Sequence, residues 1–215
     1  NSEAQTVTFT YKDQETPVIE QTATFENERQ KVEISVEKQD ADTEKAVAGA
    51  EFGLYAKNDI EAHGTVIVKA GSLLGKAVSG EDGKAVFTQD LPFGEYYIKE
   101  LAAPNGYVFS DEVLEVKAEY QGQEVKVVQL SSVLKNQPTK VVVSKSDLTT
   151  GVKLSGATLT VLDKDGNVVD TWKSVKGEQH MIERLTVGET YTLREEIAPY
   201  GYLKAEEVTF TIEDT

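Results

Sequence analysis

Lys38, Glu100 and Asn136 are a primary amine, a carboxyl and a carboxamide, and each stands where strand alternation turns it toward a core. In "ISVEKQD" (34–40), Ile34 and Val36 share a face with Lys38, because strand side chains alternate with a period of two. In "YYIKE" (96–100), Tyr96 and Ile98 share theirs with Glu100. In "LSSVLKN" (130–136), the inward set is Leu130, Ser132, Leu134 and Asn136. Parity gives two further inward positions, Glu195 in "YTLRE" and Asn27 in "ATFEN".

Three outcomes are open to such a trio. One is a buried Lys–Glu ion pair with Asn as an extra partner, a poor stabiliser because desolvation can exceed the attraction. In the second, each polar group sits at a strand end and reaches water. The third is covalent. Burial among apolar residues lowers a lysine's pKa and raises a glutamic acid's, which makes Lys38 a neutral nucleophile beside a protonated Glu100. Glu100 would hydrogen-bond the carboxamide oxygen, stabilise developing charge and pass a proton to the leaving ammonia. The product is a Lys38–Asn136 isopeptide bond, whose amide nitrogen leaves no charge to bury.

The elements that must position these groups repeat along the chain. "VEKQDADTEKAVAGAEF" (36–52) lines up with "VSKSDLTTGVKLSGATL" (143–159), matching Lys38 to Lys145 and Asp40 to Asp147. "YYIKELAAPNGY" (96–107) lines up without a gap with "YTLREEIAPYGY" (191–202). Two separated blocks in the same order indicate tandem modules. "VTFTYKD" (7–13) also nearly repeats "VTFTIED" (208–214). The expected division is 1–28 as closing strands of a preceding repeat, 29–138 as a complete module, and 139–215 as a second lacking its last strand. The chain starts at Asn1 and stops at Thr215 as an excised piece would.

Short alternating runs at 32–38, 85–88, 95–100, 112–118, 124–136, 140–145, 157–162, 190–195 and 207–212 predict strands. "EDGK" (81–84) and "DKDGN" (163–167) predict Asp-Gly hairpins, and 57–64 is the one stretch where a helical turn is expected. The fold class is all-β, as tandem β-sandwiches.

Composition narrows the function. The 215 residues include 37 Asp and Glu against 22 Lys and Arg, a net charge of −15 that argues against nucleic acid and anionic membrane surfaces as partners. No cysteine is present, so neither disulfides nor thiolate sites arise. His63 and His180 are the only histidines and read as surface or loop residues. "DKDGN" lacks the ligand series and closing Glu of a calcium loop. No metal or other cofactor is expected.

Lys-x-Asp-x-x-Thr, Gly-Ala, Tyr-x-[Ile/Leu]-x-Glu-x-x-Ala-Pro-x-Gly-Tyr and Asn-x-Pro together resemble the CnaB-type (SpaA-like, prealbumin-like) domains of Gram-positive pilins and surface adhesins. The resemblance covers nearly the whole chain. It implies an intramolecular isopeptide bond between a first-strand Lys and a last-strand Asn or Asp, with the Glu of the Tyr-x-[Ile/Leu]-x-Glu block catalytic. Carried over by residue, Lys38 and Asn136 are bonded and Glu100 is the catalyst. In the second module Lys145 and Glu195 match, with no Asn counterpart before Thr215, while Asn27 matches the last-strand Asn of an upstream module. The resemblance implies an extracellular, wall-anchored protein whose partners are neighbouring repeats of the same parent. The rival reading is an adhesive module whose loops, such as 57–84, recognise a host protein or glycan. Head-to-tail strand exchange between copies, Asn27 of one meeting Lys145 of the next, follows as a further expectation. A conventional enzyme is not expected.

Overall fold

The computed structural model describes residues 6, 8–15 and 28–213, and every regular element among them is a β-strand. The first module holds β1 (Lys31–Asp40), β2 (Glu51–Ala56), β3 (Ile60–Ala62), β4 (Thr65–Val68), β5 (Leu73–Val78), β6 (Lys84–Phe87), β7 (Gly94–Ala102), β8 (Val113–Ala118) and β9 (Val127–Asn136). One sheet has the order β6-β1-β9 and the other β5-β2-β7-β8. Their apolar faces close on each other. Ile34, Val36, Phe52, Leu54, Ile98 and Leu134 are all fully buried in one cluster. Inward alternation on β1 runs without a break through Val32, Ile34, Val36, Lys38 and Asp40.

β1 and β9 run parallel, and that pairing brings the first and last strands of the module side by side. Its register sets Lys38 against Leu134 and Asp40 against Asn136. On the other sheet, β2 and β7 are antiparallel and slip by one residue between Glu51 and Phe52, leaving Phe52 opposite Glu100. Such bulges re-aim side chains, often beside functional sites.

The second module repeats the plan with β10 (Lys140–Val143), β11 (Thr158–Leu162), β12 (Val168–Lys173), β13 (His180–Glu183), β14 (Thr190–Ile197) and β15 (Val208–Thr211). Its four-stranded sheet, β12-β11-β14-β15, carries the same one-residue slip, between Thr158 and Leu159, leaving Leu159 opposite Glu195. The facing sheet is only β10-β13. β10 pairs with β13 as β1 pairs with β6, but among the described residues no strand takes the place of β9. The core is correspondingly small, built on Val161, Ile182, Leu185 and Tyr191.

Three expectations are corrected. Residues 57–64 hold no helical turn, because β3 and β4 form a hairpin there. Its turn, His63-Gly64, has φ of 51° and 76°, the two left-handed residues that a tight hairpin of matching twist requires. "EDGK" is a turn but not a hairpin, since β5 and β6 lie in different sheets. Gly83 has φ 76°, and a Cβ there would sit 2.6 Å from the carbonyl oxygen of Lys38. The glycine lets this crossover press against β1, where Lys38 N–H bonds Gly83 O at 2.8 Å. Residues 8–13 form no strand, and Phe9 and Tyr11 are exposed. A strand needs a neighbour for its backbone groups, and β15, which carries the related sequence, has one in β14.

Candidate functional site

Lys38, Glu100 and Asn136 meet inside the first sandwich, with residue exposures of 0%, 3% and 1%. β1 supplies Lys38, β7 supplies Glu100, and the end of β9 supplies Asn136. Lys38 Nζ lies 3.2 Å from Glu100 Oε1 and donates to Asn136 Oδ1. The amide nitrogen of Asn136 donates to both Glu100 oxygens, at 2.9 and 2.8 Å. Ser110 N–H also bonds Glu100 Oε2, at 2.8 Å. The ring of Phe52, whose centroid is 6.0 Å from Nζ, forms part of the apolar wall.

The carboxamide is turned opposite to the sequence expectation. Its oxygen faces the amine and its nitrogen faces the carboxyl, so each polar atom meets its complement. This order aims the carboxamide nitrogen, rather than the oxygen, at Glu100.

Burial pushes the Lys38 ammonium below the ordinary lysine range, and the attraction of Glu100, with a smaller part from Glu112, opposes it. A consequence is testable in a chain without the carboxyl. In Glu100→Gln the opposing charge is gone while the desolvation stays. The folded state then holds fewer protons at Lys38 than the unfolded state does, over the interval from the lowered pKa up to the ordinary 10.5. Stability should therefore rise as pH increases through that interval. Urea midpoints of Glu100→Gln at several alkaline pH values check this, and a flat profile would refute it.

The second module sets Lys145 and Glu195 in a matching relation. Lys145 Nζ is 3.2 Å from Glu195 Oε1, their side chains 18% and 2% exposed. Glu195 Oε2 accepts from Ala205 N–H at 2.6 Å, as Glu100 does from Ser110. Glu195 Oε1 is buried and accepts no hydrogen bond among the described residues, at the position where Glu100 receives Asn136. Glu196, the extra residue at the slip, is exposed. Asn27 lies outside the described residues, so its relation to Lys145 is not part of this geometry.

Sequence parity passed over Asp40, Tyr107 and Arg184. Asp40 is 1% exposed, and its Oδ2 accepts from Tyr107 Oη and Arg184 Nη2, each at 2.9 Å. Burial by itself would raise this carboxyl. The bonds from Arg184, Thr43, Tyr107 and Asp42 outweigh it and hold the group well below the usual range. Its inward parity and its match to Asp147 were legible signals; Arg184 had none, because it comes from the other module. His180 is also corrected. It is a half-buried strand residue on β13, stacked on Trp172 at 4.2 Å and bonded to Asp170 Oδ2 at 2.7 Å.

Comparison with known proteins agrees with this architecture. Residues 32–131 and 139–215 match the family model for SpaA, a prealbumin-like fold domain. The Bacillus anthracis TIE protein is a similar structure at 27% identity and a TM-score of 0.56, covering 86% of this chain and 32% of its own. A C-terminal fragment of the pilus adhesin SpaC from Lactobacillus rhamnosus GG shares the fold at 17% identity and a TM-score of 0.51, with 85% and 83% covered. No curated protein matches the sequence. The chain thus spans about a third of the length of the Bacillus protein. With both modules matched over most of their length, the chain belongs to the SpaA prealbumin-like fold domain family.

Proposed function

We propose that the chain is a structural segment of a Gram-positive cell-surface stalk, of a pilin or an adhesin, hardened by a Lys38–Asn136 isopeptide bond whose formation Glu100 promotes. One observation carries this reading: amine, carboxyl and carboxamide touch one another in a dry interior, on the first, a middle and the last strand. A proton passing from Lys38 to Glu100 across their 3.2 Å contact gives a neutral amine and a carboxylic acid. Lys38 Nζ then attacks Asn136 Cγ. The Cγ–Nδ2 bond breaks as Glu100 protonates Nδ2, and the proton shed by the amine returns to Glu100. One C–N bond replaces another and one ammonia leaves, so the chemistry happens once per molecule and is not enzymatic turnover.

The stalk role draws on the company this fold keeps, since the Lactobacillus relative is a pilus adhesin, and a stalk segment of this kind would work outside the cell. The second module reads as a half-site, in which Lys145 and Glu195 await a strand bearing the carboxamide. A second reading, adhesion to a host protein or glycan, has in its favour the exposed Val66, Ile67 and Leu73 on β4 and β5. It would gain ground if those side chains, changed to serine, abolished capture by a host matrix.

Intact mass tests the bond. Wild type should be lighter than its sequence by one ammonia, and Lys38→Ala and Glu100→Gln should show the full mass. A wild type at full mass would leave only an ion pair.

A further inference from the structure

The contact between the modules runs straight to the machinery of the first one. Arg184, in the turn after β13, has φ 63° and offers its fork to two groups of the first module. Its Nη2 donates to Asp40 Oδ2 at 2.9 Å and its Nε to Tyr107 Oη at 3.4 Å. Tyr107 in turn donates to the same Asp40 oxygen. The other Asp40 oxygen caps the turn beyond β1 through Asp42 N–H and Thr43 N–H, at 2.9 and 2.8 Å.

The backbone beneath is stitched just as closely. Thr139 N–H bonds Gly106 O at 3.0 Å, and Arg184 N–H bonds Thr139 O at 2.9 Å. Thr139 Oγ1 donates to Leu185 O at 2.5 Å. The approach is so close that a Cβ on Gly106 would lie 2.7 Å from Arg184 O.

Two segments are held by this junction, and both end in the reacting groups. Residues 104–110 receive Arg184 at Tyr107 and, three residues on, give Ser110 N–H to Glu100 Oε2. Residues 136–139 carry Asn136, whose carbonyl accepts from Ala41 N–H at 3.0 Å, while Gln137 O accepts from Val108 N–H at 2.9 Å. The arrangement belongs to the junction rather than to each module. The counterpart pair in the second module, Asp147 and Tyr202, interact with each other, and Asp147 accepts hydrogen bonds from Thr149 and Thr150.

The geometry points to Arg184, a residue of the second module, as a positioning residue for bond formation in the first. Seated on Asp40 and Tyr107, it fixes the loop that orients Glu100 and the strand end that presents Asn136. The first module therefore completes its bond promptly only when the second has docked. This inference rests on the Lys38–Asn136 bond proposed above. A guanidinium suits the task because its rigid, preorganised fork reaches the carboxylate and the phenol oxygen from two separate N–H groups, where a lysine offers only a single point charge on a flexible stem. Small misplacements of reacting groups cost large factors in rate.

The test follows ammonia loss by intact mass after a short pulse of cell-free synthesis of the full chain. Rates are compared at a temperature where the Glu100→Gln forms of all variants are fully folded, which removes stability from the comparison. Arg184→Ala should lose its ammonia on the order of tenfold more slowly than wild type. Arg184→Lys should recover only part of the rate, and the pH profile should keep its shape, because the titrating groups are untouched. Arg194→Ala, which removes an arginine bonded to Glu207 instead, should match wild type. Equal rates for Arg184→Ala and wild type would overturn the inference while leaving the bond intact as a reading. A wild type that never loses ammonia would overturn the bond, and the inference with it.

Discussion

Glu100→Gln should melt its first module roughly 20 °C or more below wild type, while the transition of the second module stays in place. The substitution keeps the size and shape of the side chain, so the core is not hollowed. What it removes is the acid, and with it the means of making the proposed bond. Lys38 and Asn136 stand 98 residues apart in sequence, and closing a loop of that length restricts the unfolded chain by about 4.7 kcal/mol in the chain-entropy model. For a domain of this size each kcal/mol moves the midpoint by about 4–8 °C. A further loss comes from Lys38, left in the interior beside an amide instead of a carboxylate. Differential scanning calorimetry of both proteins checks the claim. Equal midpoints, with the ammonia deficit present in wild type, would show that the cross-link does not act through the unfolded state. Pulled from its ends, a bonded module should also fail to lengthen, because tension passes from β1 through Lys38 to Asn136 and out. Glu100→Gln should instead release roughly 340 Å of chain.

Much of this site could be seen in the sequence because the β-strand has so simple a period. Val32 to Asp40 alternate inward and outward without a fault, so one apolar face was enough to place Lys38. The same holds for Glu100, which precedes the slip in β7; a count begun beyond the slip would have come out reversed. What stayed hidden depends on partners distant in sequence. The β3–β4 hairpin was missed because His63 takes a left-handed conformation that its residue type does not announce. "EDGK" was correctly placed as a turn, but local chemistry cannot say that the strands on either side belong to different sheets. Residues 8–13 have a strand's composition and no sheet to join among the described residues, whereas nearly the same sequence in β15 is paired. Arg184 lay furthest from view, since its role arises only where two modules touch.

The open edge of the second module should take up a strand and keep it. In the first module Asn136 stands two positions beyond the register partner of Lys38. A segment lying parallel to β10 in that register would bring its own Asn to Lys145 and to the unbonded Oε1 of Glu195. A synthetic peptide with the sequence of residues 127–139 has the required pattern, with Val128, Leu130, Leu134 and Asn136 on one face. Mixed with the full chain, it should form an adduct of combined mass less one ammonia. The adduct should vanish with Lys145→Ala, with Glu195→Gln, and with a peptide carrying Ala in place of Asn136. Val128 and Leu134, the two of the peptide's apolar residues on that face that are fully buried in the first module, would contribute about 3 kcal/mol, which should raise the melting temperature of the second module by roughly 12 °C or more. The pattern in "ATFEN" (23–27) makes the chain itself a candidate donor, so concentrated wild type should be compared with Asn27→Ala on a denaturing gel. A ladder of chain multiples lost in that variant would join copies head to tail. Peptide that binds without losing ammonia would mean that the edge accepts a strand but Glu195 does not promote the chemistry. With no peptide binding at all, the likeness between the two lysine–glutamate pairs would be one of form without function.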